Sequence, residues 1–160
     1  MKIHELMQPQ VTVCQPDSNL ETVAMLMWNH DCGAIPVVNE QGRPVAMITD
    51  RDISIGSAIN HKPLWDMTAQ QIYNSTELLS CNGEDDVQAA FSIMHAGQVR
   101  RLPVVNDQGK LVGILSMDDL ILAAKPQKSK TVAVSYDEVM STLKNVSIPD
   151  KPSASVLTMP

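Results

Sequence analysis

The chain has 160 residues, 44 % apolar and 19 % charged, which is enough for a packed core and suits one domain or two very small ones. Eighteen Asp and Glu against twelve Lys and Arg give a formal net charge of −6. That field repels phosphate polymers and anionic lipid, so binding to nucleic acid or a membrane surface is disfavoured, while a small anion held by locally placed basic residues is not.

The start, Met1-Lys2-Ile3-His4-Glu5, lacks the charged and apolar stretches of a signal peptide, and no apolar run approaches the roughly 18 residues of a membrane span. A cytoplasmic protein is expected. Ser18-Asn19-Leu20-Glu21 reads as a capping box ahead of Leu20, Val23, Ala24 and Met27 at helical spacing. A β-branched strand follows at Ile35 to Val38, then a polar turn with Gly42 and a second strand at Val45 to Ile48, a hairpin pattern. That strand runs into Thr49-Asp50-Arg51-Asp52, which opens a second helical stretch broken near Pro63.

The same order then recurs. IPVVNEQGRPVAMITDRDI (Ile35 to Ile53) returns as LPVVNDQGKLVGILSMDDL (Leu102 to Leu120), with Pro36 and Pro103 fixing an offset of 67 residues. The register holds without a gap from Cys14/Cys81 to Ile53/Leu120, and 10 of those 40 pairs are identical. Average composition would give on the order of two or three by chance. Each copy reads β-α-β-β-α, and two copies of so long a period predict two similar lobes packed together, not a solenoid. The boundaries fall at 1–62 and 63–124. Residues 125–160 then hold an exposed Lys-rich connector, a short helix opened by Ser135-Tyr136-Asp137-Glu138 with Tyr136, Val139, Met140 and Leu143 as its docking face, and a loose tail.

The doubled unit of I/L-P-V-V-N-x-x-G, strand and Thr/Ser-x-x-Asp resembles a pair of cystathionine-β-synthase (CBS) domains, the arrangement called a Bateman module. The resemblance covers about residues 1 to 124 and implies an α+β fold of two pseudo-twofold repeats packed through their sheets, with clefts between them for adenosine-containing ligands. It also implies a stand-alone regulatory member that dimerises through exposed apolar helix faces, for which Met25, Leu26 and Trp28 are suited.

In such a cleft, a carboxylate just after a strand end accepts charge-assisted hydrogen bonds from both ribose hydroxyls. Asp52 and Asp119 hold that position, with Thr49 and Ser116 beside them. The same tetrapeptide is also a plain helix cap, and by itself it favours that reading. A phosphate needs positive charge. The second repeat has Arg100-Arg101 where the first has Gly33-Ala34. The resemblance implies that these arginines reach across the pseudo-axis to the site of Asp52, joined there by Arg51, with Met47, Leu78 and Leu79 around the base.

The mirror site combines Val11, Thr12, Ile114, Ser116 and Asp119, and meets Gly33, Ala34 and Asp118 in place of the arginines. The module is therefore expected to be asymmetric: a phosphorylated nucleotide at Asp52, and at Asp119 nothing, or a neutral or cationic adenosyl ligand. Ala46 in place of Gly113 adds a methyl group on the expected approach of a ligand to the better site.

Cys14, Cys32 and Cys81 lack CxxC spacing, and His4, His30, His61 and His95 lack metal spacing, so neither a zinc site nor a disulfide framework is expected. No Ser/His/Asp or Cys/His constellation can be assembled, and no catalytic cofactor or enzymatic activity is expected. The leading function is a sensor that binds an adenine nucleotide of the AMP, ADP or ATP type and signals to a regulated protein by conformational or oligomeric change. The other reading is an interaction or dimerisation protein whose cleft is vestigial.

Overall fold

A computed structural model describes residues 1–73, 78–126 and 132–148. Helix α1 (Leu20–Asn29) starts where the Asn19 side chain accepts from the backbone N–H groups of Glu21 and Thr22. The cap is thus Asn19, one residue later than the sequence pattern suggested, and the Ser18 hydroxyl instead accepts from the Gln15 N–H at 2.9 Å. Strands β1 (Ala34–Val38) and β2 (Pro44–Thr49) pair antiparallel with Ile35 opposite Ile48. The Asn39 carboxamide oxygen accepts from Gln41 and Arg43 N–H across their turn, and Gly42 takes the left-handed φ of 74° that glycine adopts without a steric cost. Helix α2 (Asp50–Asn60) ends at His61, itself left-handed, just ahead of Pro63.

The second copy repeats this at the offset read from the sequence, with β3 (Cys81–Asn82), α3 (Val87–Gly97), β4 (Arg101–Val105), β5 (Leu111–Ser116) and α4 (Met117–Ala123). Asn106 and Gly109 rebuild the hairpin turn of Asn39 and Gly42. Strand β3 runs parallel to β4, whereas in the first copy the matching strand shrinks to a single parallel bridge between Cys14 and Val37. The fold is mixed α+β, two small sheets each flanked by helices, as the repeat predicted.

The two cores are closed crosswise. Ile3, fully buried, packs with Val87, Met94, Leu102 and Leu115 of the second repeat, and the Ile3 and His4 N–H groups donate to the Asp85 and Gly83 carbonyls at 3.0 Å. Reciprocally, Met67 and Ala69 pack with Leu20, Val23, Ile35 and Ile48 of the first repeat, tied by Leu20 N–H to Met67 O and Ala69 N–H to Ser18 O. Burying one such side chain contributes about 1.5–3 kcal/mol, so each lobe draws part of its stability from chain that precedes the other repeat. Two glycines make room for the crossings. A Cβ on Gly56 would lie 2.5 Å from the Ile72 side chain, and one on Gly113 would lie 2.9 Å from the Gln8 carbonyl.

Helix α5 (Tyr136–Val146) opens on the Ser135 capping box and packs on α3 and α4. Its inner face is Val139, Thr142, Leu143 and Val146, so Val139 and Leu143 of the expected stripe dock while Tyr136 and Met140 are 55 % and 54 % exposed. The helix is rotated so that positions 139, 142, 143 and 146 meet the second repeat. The loose tail expected at 149–160 and most of the Lys-rich connector lie outside the described residues. Among the described residues, no helix is long and apolar enough to cross a membrane.

Candidate functional site

Two open cavities lie between the repeats. The first, about 520 Å³, is lined by Met47, Thr49 and Asp52 from the first repeat and by Leu78, Leu79, Arg100 and Arg101 from the second. The second, about 390 Å³, is lined by Val11, Thr12, Ile114, Ser116 and Asp119. Both volumes fall in the range of roughly 300–1,000 Å³ typical of small-molecule sites. All the residues singled out for the second cleft come together, and all for the first except Arg51. That arginine stands one residue, hence about 100° of helix, before Asp52, and it is exposed on α2 outside both cavities. Asp118 is likewise exposed and lines neither.

Capping fixes the two carboxylates. Asp52 Oδ2 accepts from the Thr49 N–H at 2.9 Å and the Thr49 hydroxyl at 2.7 Å, while the Asp52 N–H donates to Thr49 Oγ1. Asp119 Oδ2 does the same with Ser116 at 2.8 and 2.6 Å. The cap uses one oxygen of each carboxylate, so helix capping and ligand binding are not alternatives. The other oxygens differ. Asp119 Oδ1 accepts from Gln8 Nε2 at 2.8 Å, whereas Asp52 Oδ1 accepts from no side chain among the described residues.

The charges are shared differently from the sequence expectation. Arg100 lines the first cavity alone, and its Nη2 donates to Ser147 Oγ at 3.2 Å, at the C-terminal end of α5. Arg101 and its repeat counterpart Ala34 line both cavities, because they open β4 and β1 where the two repeats meet. The second cleft therefore contains an arginine after all. It also contains His30 and Asp31, the latter held at a left-handed φ of 49° matched by Gln98 in the second repeat. Gly113 has a structural role: the Met7 and Gln8 segment packs where its side chain would be, so its absence of a Cβ does not open a route for ligand.

Several lining residues escaped the sequence reading. Ile72 and Tyr73 line the first cleft because the segment before the second repeat crosses into the first. Gln8 and Gln10 line the second for the mirror-image reason. The offset of 67 pairs these segments with each other, Ile72 with Glu5 and Tyr73 with Leu6, but does not say which lobe either one joins.

The family model of the CBS domain matches residues 3–55 and 69–125, one match per repeat. The chain belongs to the CBS domain family. A CBS domain-containing protein of Bacillus subtilis (strain 168), YhcV, is 39 % identical over 118 residues, covering 74 % of this chain and 81 % of that one. Among solved structures, the CBS domain pair of protein MJ0100 in complex with 5′-methylthioadenosine and S-adenosyl-L-methionine superposes with a TM-score of 0.67 at 21 % identity, covering 76 % of this chain and 94 % of that one. CBSX2 in complex with AMP gives 0.65 at 20 %, with coverages of 76 % and 94 %. At these identities the two structures establish the shared fold of a CBS pair.

Proposed function

We propose that this chain is a regulatory sensor that binds an adenosine-containing nucleotide of the AMP, ADP or ATP type in its first cleft. The observation that carries the reading is the division of labour at Asp52. One oxygen is fixed by the cap and the other is left for a ribose, in a cavity that also holds Arg100 and Arg101. Charge-assisted bonds to ribose hydroxyls and phosphate are the strong kind. Tyr73, Leu79 and Met47 supply apolar and aromatic surface for a base. The adenosyl ligands of the CBS pairs MJ0100 and CBSX2 support the same ligand class. Binding signals to a regulated protein through a change in conformation or association, and the chain itself acts as a binder in the cytoplasm, not a catalyst.

A second reading, an interaction or dimerisation module with an idle cleft, has one observation in its favour. Trp28 and Ile59 are 82 % and 71 % exposed, on the α1 and α2 side of the first repeat. Homodimerisation through that side fits both readings.

A thermal-shift titration with AMP separates them. At a ligand concentration a hundred times the dissociation constant, linkage adds about 2.7 kcal/mol, roughly 5–10 °C for a chain of this size. Asp52→Asn keeps an acceptor for the cap and is expected to lose most of that shift, whereas Asp119→Asn keeps it. A parent protein whose melting temperature ignores AMP, ADP and ATP alike would leave only the interaction module.

A further inference from the structure

We infer that Arg101 couples the two clefts by charge. A phosphorylated ligand in the first cleft engages Arg101, and the second cleft is thereby left anionic and selective for a cationic adenosyl ligand. The inference rests on the nucleotide reading above and extends it to the second cleft.

Arg101 lines both cavities, and among the described residues no ion pair or side-chain hydrogen bond commits it to either. A guanidinium engages a phosphate through one planar fork, so Arg101 serves one phosphate at a time. The first cleft has the stronger claim. Its lining adds Arg100 to Arg101 against the single carboxylate of Asp52. The second cleft sets Asp31 and Asp119 against Arg101, with His30 and Cys32 as its other titratable groups, and Gln8 already occupies Asp119 Oδ1. Once Arg101 turns to a phosphate in the first cleft, the fixed charges left in the second are both carboxylates. Linkage makes the effect reciprocal: a cation in the second cleft releases Arg101 for a phosphate in the first. The sign of coupling thus depends on ligand charge, positive between an anion and a cation and negative between two anions.

Isothermal titration calorimetry on the full chain tests this with two probes, AMP and S-adenosylmethionine, whose sulfonium and ammonium groups outweigh its carboxylate. One AMP is expected per chain, with S-adenosylmethionine binding about tenfold tighter when AMP is saturating, a typical coupling. Arg101→Gln is expected to bind S-adenosylmethionine without AMP as tightly as the parent does with it. Gly33→Arg, combined with Asp50→Asn to remove the carboxylate that lies 3.5 Å from the new Cβ, introduces the repeat counterpart of Arg100 in the lining of the second cleft. This variant is expected to take two AMP per chain and to bind S-adenosylmethionine more weakly.

Two AMP per parent chain, or S-adenosylmethionine binding that is indifferent to AMP and to Arg101→Gln, overturns the coupling while leaving the nucleotide reading intact. Failure of both compounds to bind any of the three proteins overturns both.

Discussion

Gln8 donates from its Nε2 to Asp119 Oδ1 at 2.8 Å, across 111 residues of sequence, and so places a side-chain amide where the equivalent Asp52 Oδ1 has no side-chain donor among the described residues. The contact is held by the backbone, since Gln8 and Ile114 exchange N–H to carbonyl bonds of 2.8 and 3.0 Å. An adenosine entering the second cleft must displace this amide. Gln8→Ala removes the competitor and leaves the backbone bridge in place, and a hydrogen bond of this kind contributes about 0.5–1.5 kcal/mol net. Adenosine affinity at the second cleft is expected to rise roughly three- to tenfold, read by calorimetry in an Asp52→Asn background. An unchanged affinity would mean that the amide yields at no cost.

A similar competition operates in the first cleft. Arg100 donates to Ser147 at the end of α5, and Gln98 Nε2 reaches the Asn145 carbonyl at 3.4 Å beside it. Ser147→Ala frees the guanidinium without touching the cavity lining, so AMP is expected to bind about two- to fivefold more tightly, within the net contribution of one exposed hydrogen bond. The ligand-bound protein should also show faster amide exchange at the end of α5. If AMP leaves exchange there unaltered, Arg100 does not move between the two partners.

Gly56 stands in the interior of α2, where replacement by Ala at an open site would stabilise a helix by about 1 kcal/mol. Here the added methyl group would lie 2.5 Å from the Ile72 side chain. Overpacking costs typically 1–3 kcal/mol, so Gly56→Ala is expected to lower stability in urea denaturation. A gain would show that Ile72 moves aside freely.

Burial pushes the Cys14 thiol up to about 11 and the Cys81 thiol to about 12, the latter with a smaller contribution from the Asp85 charge, from an ordinary value of 9.0. In the unfolded chain both ionise near the ordinary value, so above it the unfolded state holds fewer protons than the native one. The stability from these thiols is complete below about pH 9 and is lost as pH rises toward 11 and 12. Each contributes a slope of at most about 1.4 kcal/mol per pH unit. Guanidinium unfolding between pH 8 and 10.5 should show the decline, and Cys81→Ala should flatten it.

The repeat, its hairpins, the Ser135 cap and the two cleft carboxylates were legible in the sequence because each rests on local chemistry. Asn39 and Gly42 build a turn, and Thr49 and Asp52 build a cap, within four residues. Arg51 was misjudged because helical rotation separates it from its neighbour Asp52. Arg101 in the second cleft, Gln8 on Asp119 and the exposed outer face of α5 depend on how distant segments cross, and a repeat offset carries no information about which lobe a connecting segment joins.

The crosswise closure of the cores also bears on synthesis. A ribosome delivers Leu20 through Ile53 well before Met67 and Ala69, so the first repeat leaves the exit tunnel with its core incomplete. The segment around Ile3, made well before them, must wait for Leu102 and Leu115. The first lobe can close once Met67 and Ala69 have emerged, whereas the second cannot, and the apolar surface around Ile3 stays exposed until nearly all of both repeats has been made.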